Sequence, residues 1–123
     1  MTAGIVRAGQ EAVIQLTLRG PTGREQSVGA VIDTGFTGFV TLPSSVIDVL
    51  GLTRVAQSRA VLADGSDVEF DVYEAAALWN DRWLAVDVSS MEADALVGMR
   101  LLAGYRLCLD GVVGGGVTIE PLP

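Results

Sequence analysis

Apolar side chains in this sequence recur at every second position in several short segments, which is the spacing of β-strands with one buried face. The clearest alternation runs through residues 14–18, 68–72, 84–88 and 117–119. Turn-forming residues separate the strands and predict hairpin turns at 20–23, 63–66, 79–82 and 111–116. Many short strands joined in this way predict an all-β sandwich or barrel.

Two short helices are predicted between the strands. Pro43–Leu50 has proline and serine where a helix begins and Gly51 where it ends. Met99–Ala103 is followed by Gly104, again a stop signal. The 123 residues are about the length of one compact domain, so we assign residues 1–123 to a single domain. The sequence leaves open whether its terminal segments pair as strands.

The charge balance restricts the partners of the chain. Its net charge is −7, from 15 acidic residues against eight arginines, and lysine is absent. A basic surface for phosphates or anionic lipids is not expected, so we predict that the chain binds neither nucleic acid nor membranes. It begins without a signal-peptide pattern and has no apolar run of membrane-spanning length, which favours a cytoplasmic location.

Histidine is absent, which excludes several catalytic chemistries within one chain. Ser-His-Asp triads, histidine-ligated zinc and proton transfer by imidazole all require it. The single Cys108 lacks a base to activate it, so we interpret it as a small, half-buried side chain. We predict neither a metal nor an organic cofactor, and carboxylates remain for acid–base chemistry.

One carboxylate is distinguished by its position in the sequence. Ala30–Ile32 has the composition of a buried strand, and Asp33 follows it directly, before Gly35 and Gly38. A carboxylate at the end of a buried strand needs hydrogen bonds or a shared proton, and the two glycines allow backbone N–H groups to approach it. The simpler alternative is an aspartate that caps an ordinary turn.

Three motifs, in this order, resemble signatures of the retropepsin-like (clan AA) aspartic peptidases of the bacterial single-domain type. The run 31–35, Val-Ile-Asp-Thr-Gly, resembles their catalytic Asp-Thr/Ser-Gly motif. The run Ala95–Leu102 is similar to their second signature, in which two apolar residues and a glycine precede a short helix. Between these runs, Val61–Ser66 occupies the position of the flap, the hairpin that folds over substrate.

The resemblance implies a closed, mostly antiparallel acid-protease barrel with one or two short helices. It implies that Asp33 is catalytic, that Thr34 reaches across to the backbone of a second subunit, and that Gly35 presents its N–H to the carboxylate. Val97 and Gly98 would pack behind this loop. The residues that the resemblance implies for substrate binding, in the flap and the cleft, are Phe36, Ala63, Asp64, Gly65, Ser66, Val97 and Gly98.

Hydrolysis of a peptide bond by carboxylates needs two of them, one as base and one as acid. The chain has one Asp-Thr-Gly motif, so the second aspartate is expected from a second copy across a two-fold axis. The sequence therefore predicts an aspartic endopeptidase that acts as a homodimer on peptides or protein segments in extended form. Two alternatives stay open, a catalytically silent peptide-binding module on the same fold and a structural β-barrel subunit.

Overall fold

A computed structural model describes residues 1–123 as ten strands and two short helices. In chain order the elements are β1 (Thr2–Arg7), β2 (Glu11–Arg19), β3 (Glu25–Ile32), β4 (Val40–Leu42), α1 (Ser44–Leu50), β5 (Thr53–Val61), β6 (Asp67–Trp79), β7 (Arg82–Ser90), β8 (Ala95–Val97), α2 (Met99–Leu102), β9 (Tyr105–Leu109) and β10 (Gly116–Pro121). The prediction of a strand-rich chain with two short helices is confirmed.

All ten strands belong to one sheet, in the order β5-β6-β7-β4-β8-β3-β2-β1-β10-β9. Every pairing is antiparallel except β3–β8 and β4–β7. The sheet folds back on itself, because β6 also pairs with the second half of β2 at Leu18 and Ala77. The predicted barrel is therefore confirmed only in part: the sheet is mostly antiparallel and curls, but β5 and β9 remain edge strands.

The hydrophobic core lies inside this curled sheet and follows the alternation in the sequence. On β2, Ile14, Leu16 and Leu18 are buried, while the residues between them are more exposed. Val86 and Val88 on β7 are buried in the same way, as are the apolar residues of β10. Burial of one face of each strand supplies the hydrophobic stabilisation of the sheet.

The turns and helix ends carry the residues that their geometry demands. Gly65, in the β5–β6 turn, has a φ of 85°, and Gly51, which ends α1, has a φ of 62°. Both values lie in the left-handed region that glycine adopts at little cost. Helix α2 ends at Leu102, one residue earlier than predicted, because Ala103 leaves the helical conformation with a ψ of 125°.

The terminal segments pair with each other as strands within the chain. Strand β1 lies between β2 and β10, and Gly4 pairs with Ile14 on one side and Val117 on the other. Strand β9 pairs with β10 alone and ends the sheet. Cys108 on this strand is exposed, so the prediction of a half-buried thiol was wrong. The reason is that Cys108 lies on the exposed face of β9, whereas Tyr105 and Leu107 on the other face pack against the core.

Neither α1 nor α2 has the length and apolar content that a helix needs to cross a membrane.

Candidate active site

The Asp33 loop begins where β3 ends at Ile32. The backbone N–H of Asp33 donates to the carbonyl oxygen of Val97 at 2.9 Å, which extends the parallel β3–β8 pairing by one residue. The N–H of Phe36 donates to the carbonyl oxygen of Asp33 at 3.1 Å and closes a tight turn. Backbone hydrogen bonds on both sides therefore fix the position from which the Asp33 side chain extends.

The carboxylate of Asp33 is half-buried at the end of the strand. Its Oδ1 accepts a hydrogen bond from the N–H of Gly35 at 2.9 Å, and no arginine forms an ion pair with it. An aspartate that only caps a turn would make the same bond to the residue two positions later. This hydrogen bond is therefore compatible with both the catalytic and the structural interpretation of Asp33. Thr34, beside it, is exposed.

A second loop, residues 97–100, interlocks with the Asp33 loop through backbone hydrogen bonds. Gly98 donates to the carbonyl oxygen of Phe39 at 2.9 Å, Met99 to that of Phe36 at 2.8 Å, and Arg100 to that of Gly38 at 3.1 Å. Val97 and Gly98 are both buried directly behind the Asp33 loop. The buried hydroxyl of Thr41 adds support, because its Oγ1 accepts the N–H of Leu96 at 3.0 Å.

The Phe36 ring packs onto two glycines. A Cβ added at Gly98 would lie 2.5 Å from Cδ2 of Phe36, and one added at Gly38 would lie 2.6 Å from its Cζ. Both distances are shorter than any carbon–carbon contact, so the ring fills the space that two side chains would need. Phe36 is half-buried and is not part of the pocket beside Asp33. In the single chain its ring packs between the two loops.

An open pocket of about 390 Å³ lies beside Asp33. Asp33 and Thr34 form part of its wall, together with Gln10 from the β1–β2 turn and Glu11 at the start of β2. The remaining wall is apolar and consists of Ala12, Val31, Ile32, Leu96, Leu107 and Leu109. Sequence reasoning did not find the residues from the β1–β2 turn and from β9, because only the sheet topology brings them to Asp33.

Glu11 is a second carboxylate in this pocket, but an arginine already holds it. Arg7 binds Oε1 of Glu11 with a shortest distance of 2.6 Å and Oδ2 of Asp94 at 2.9 Å. The hydrogen bonds to Glu11 first, and then to Asp94, raise the pKa of Arg7 above its ordinary value. Of the two carboxylates in this pocket, Asp33 is therefore the one without an ion-pair partner.

The flap residues Ala63, Asp64, Gly65 and Ser66 form the turn of the β5–β6 hairpin. Oδ1 of Asp64 accepts the hydroxyl of Ser66 at 2.6 Å and its N–H at 2.9 Å. These bonds, the hydroxyl first, hold the pKa of Asp64 below its ordinary value. The pocket beside Asp33 contains none of these four residues. The single chain therefore does not bring the flap turn onto the aspartate.

A second pocket, of about 420 Å³, lies on the outside of the sheet near Arg19 and Trp83. The guanidinium of Arg19 stacks on the Trp83 ring, with its central carbon 3.8 Å from the ring centre, and pairs with Glu25 at 2.8 Å. Because its cation is already engaged and it is remote from the Asp33 loop, we do not assign catalysis to this pocket.

Two solved structures are similar to this chain over most of its length. One is a retropepsin-like aspartic protease from Rickettsia conorii, with a TM-score of 0.55 and 14% identity, covering 98% of this chain and 96% of that one. The other is EIAV protease in complex with the inhibitor HBY-793, with a TM-score of 0.54 and 14% identity, covering 74% of this chain and 84% of that one. The chain has a retropepsin-like fold. No protein-family model and no curated protein matches its sequence.

The comparison with the Rickettsia protein covers nearly the entire chain, including the strands at both termini. At 14% identity the likeness concerns the fold, and the chemistry of this chain has to be argued from its own residues. Those residues offer one free carboxylate per chain, in an open and mostly apolar pocket.

Proposed function

We propose that this chain is an aspartic endopeptidase that acts as a homodimer, with one catalytic Asp33 from each copy. The observation that carries the proposal is the Asp33 carboxylate itself. It stands at the end of β3 in an open pocket, accepts the N–H of Gly35 at 2.9 Å and has no cationic partner, on a retropepsin-like fold. A carboxylate in this setting can exchange a proton with water or substrate.

Two copies are needed because the reaction uses two carboxylates. One, ionised, removes a proton from the attacking water, while the other, protonated, donates to the carbonyl oxygen of the peptide bond. Two adjacent carboxylates hold one proton between them, because both cannot be ionised at short distance. Glu11 is a poor second partner, since Arg7 binds it. A two-fold axis that brings Asp33 against Asp33 of a second copy supplies the pair.

The neighbours of Asp33 take supporting roles in this proposal. Thr34 is exposed beside the aspartate and would brace the two loops by reaching the backbone of the second copy. Gly35 fixes the carboxylate through its N–H. Val97 and Gly98 hold the loop from behind. No metal or organic cofactor takes part in the proposed reaction.

The proposed substrate is a peptide in extended form with apolar side chains near the cleaved bond. The apolar part of the pocket wall, which includes Ile32, Leu96 and Leu107, favours such side chains through burial. The flap turn, residues 63–66, would close over the peptide backbone in the assembled dimer. Strand β5 has all nine residues exposed, so the flap hairpin is free to approach a ligand.

The test is the Asp33→Asn variant, assayed on a library of unstructured peptides rich in apolar residues. We expect the wild type to cleave with an optimum on the acid side of neutrality, and we expect the variant to lose at least about a thousandfold in kcat/KM. Asp48→Asn is the matched control, because Asp48 is exposed on α1. Circular dichroism checks that both variants keep the fold. Equal cleavage by wild type and Asp33→Asn would refute the proposal.

A peptide-binding module without catalysis is the second candidate. The observation that favours it is that the Asp33–Gly35 hydrogen bond also occurs in an ordinary aspartate-capped turn. If the wild type and Asp33→Asn were equally inert but bound the same peptides with equal affinity, this candidate would replace the enzyme. A stable monomer that neither binds nor cleaves peptides would instead favour the third alternative, a structural β-barrel subunit.

A further inference from the structure

Strand β9 offers a free hydrogen-bonding edge. Asp110 donates its N–H to the carbonyl oxygen of Gly116 at 3.0 Å, and Cys108 pairs with Thr118 in the same register. In an antiparallel pair of strands, every second residue points its N–H and C=O groups at the partner strand, and the residues between them point theirs away. Cys108 and Asp110 point theirs at β10. The backbone groups of Tyr105, Leu107 and Leu109 therefore face outward, where no strand of this chain pairs with them.

This free edge lies beside the candidate active site. Leu107 and Leu109 line the same pocket as Asp33. Leu109 is 46% exposed, which leaves apolar surface uncovered next to the carboxylate. Unpaired strand edges attract further strands, and exposed apolar surface strengthens that attraction. A strand added to β9 would therefore complete one wall of the pocket.

The sequence of β9 is complementary to itself when two copies run in opposite directions. Arg106 and Asp110 lie two residues before and two residues after Cys108, so the three share one face of the strand. Neither Arg106 nor Asp110 forms an ion pair within the chain. An antiparallel copy centred on Cys108 would place Arg106 opposite Asp110 twice, once on each side of the axis.

We propose that a second copy of this chain docks through β9, edge to edge and antiparallel, with the two-fold axis at Cys108. Leu107 of each copy then forms the hydrogen-bonded pair with Leu109 of the other. The result is one continuous sheet in the order β1-β10-β9-β9-β10-β1, with no strand exchanged between copies. This inference rests on the proposed homodimeric peptidase and identifies the surface that assembles it.

The charges select this register over its neighbours. With the axis at Leu107, Arg106 would lie opposite Cys108 and Asp110 opposite Gly104, so neither charge would gain a partner. With the axis at Leu109, Arg106 would lie opposite Val112. Only the Cys108 register pairs both charges, and it also covers the exposed Leu109 side chain.

The first experiment exchanges the two charges and measures the dimer dissociation constant by sedimentation. All variants carry Glu120→Gln, because Glu120 lies opposite position 106 on β10 and would repel an aspartate there. We expect Asp110→Arg to weaken the dimer about tenfold or more, because it opposes like charges twice. The double variant Arg106→Asp/Asp110→Arg should restore it. Asp48→Arg, at an exposed position on α1, is the control, because it changes the net charge by the same amount as Asp110→Arg and should not weaken the dimer.

The second experiment uses Cys108 as a probe of the register. The two Cys108 residues would form a non-hydrogen-bonded pair with a Cα separation of about 4.5 Å, which is within the range for a disulfide. Diamide accepts the two protons and two electrons that the two thiols release, so oxidation should give a covalent dimer. Cys108→Ser/Thr118→Cys moves the thiol one strand inward, and it should remain uncrosslinked.

The outcomes separate this inference from the proposed function. A dimer that is insensitive to the charge exchange and gives no Cys108 crosslink overturns the inference, and the peptidase stands if Asp33→Asn still abolishes cleavage. A dimer with the expected crosslink and rescue but no peptidase activity supports the interface and refutes the enzyme. A chain that stays monomeric at all concentrations, or pairs β9 only with a different protein, overturns the inference.

Discussion

Gly98 lies at the crossing of the two loops that form the candidate site. A Cβ added there would overlap the carbonyl oxygen of Gly38 and lie 2.7 Å from that of Phe36. Because both neighbours are backbone atoms, the clash can be relieved only by moving a loop. We expect Gly98→Ala to reduce the free energy of unfolding by about 2 kcal/mol or more, measured by urea denaturation.

Gly111→Ala is the matched control for this prediction. Nothing lies within 4 Å of a Cβ added at Gly111, so that substitution should leave the unfolding midpoint almost unchanged. Equal midpoints for the two variants would contradict the packing described here. Sequence reasoning assigned Gly98 to the site but gave no reason why it must be glycine, because the reason is the Phe36 loop, about 60 residues away along the chain.

Asp64 and Ser66 stabilise the turn of the flap through hydrogen bonds that require the ionised carboxylate. The pKa of Asp64 is lowered from its ordinary value of 3.8, chiefly by the Ser66 hydroxyl. The pKa of Asp64 is lower in the folded chain than in the unfolded chain. The hydrogen bonds to Ser66 therefore add to the stability of the turn above about pH 4, and this stability is lost as the pH falls through the folded pKa. The turn is therefore intact in mildly acidic solution, where the proposed enzyme would work.

The prediction for the flap concerns the titration of Asp64, followed by NMR. We expect the carboxylate to titrate below 3.8 in the wild type and to move up toward that value in Ser66→Ala. Ser58→Ala removes an exposed hydroxyl from β5 and should leave the titration unchanged. If Asp64 titrated at the same pH in the wild type and Ser66→Ala, the hydrogen bonds to Ser66 would not be the cause of the shift.

Several of the strands that sequence reasoning predicted have one buried and one exposed face, whereas the predicted run 68–72 lies in a part of β6 that has no buried residue. Strands β2, β7 and β10 show the alternation because their apolar residues face the core. Strand β5 was not predicted, since all nine of its residues are exposed and no alternation results. Strand β9 was not predicted either, and its place beside Asp33 depends on long-range pairing that no local pattern encodes.

The Asp33 motif could be predicted because its chemistry is local. A buried strand, an aspartate and a glycine two residues later determine both the turn and its hydrogen bond. The pocket could not be predicted, because its walls come from the β1–β2 turn, from β8 and from β9. The packing of Phe36 shows the same limit, since no local pattern predicts that its ring lies against Gly38 and Gly98.

The net charge of the chain opposes its own assembly. Each copy carries −7 at pH 7, so two copies repel one another before they touch. The paired arrangement of Arg106 and Asp110 provides local attraction at the proposed interface in spite of this repulsion. Protonation of carboxylates at lower pH reduces the general repulsion, so assembly and the proposed acid-side activity favour the same conditions.

Strand β1 pairs with strands of its own chain, so its removal should primarily lower the stability of the folded chain rather than weaken the dimer. It pairs with β2 and β10, Val6 is buried, and the backbone of Val6 exchanges hydrogen bonds with Gly114 and Gly115. We expect deletion of residues 2–7 to cost about 3 kcal/mol or more, because it exposes two strand edges and removes a buried side chain. Thermal denaturation followed by circular dichroism measures this loss.

The matched control for that deletion removes only Pro123, which is exposed at the opposite terminus. We expect this shorter chain to melt like the full one, because the pairing of β1 with β10 ends before it. The shift caused by deleting β1 should be the same at low and high protein concentration, since the lost contacts lie within one chain. A truncated chain that keeps the native melting temperature and loses only its ability to dimerise would instead place β1 in the interface between copies.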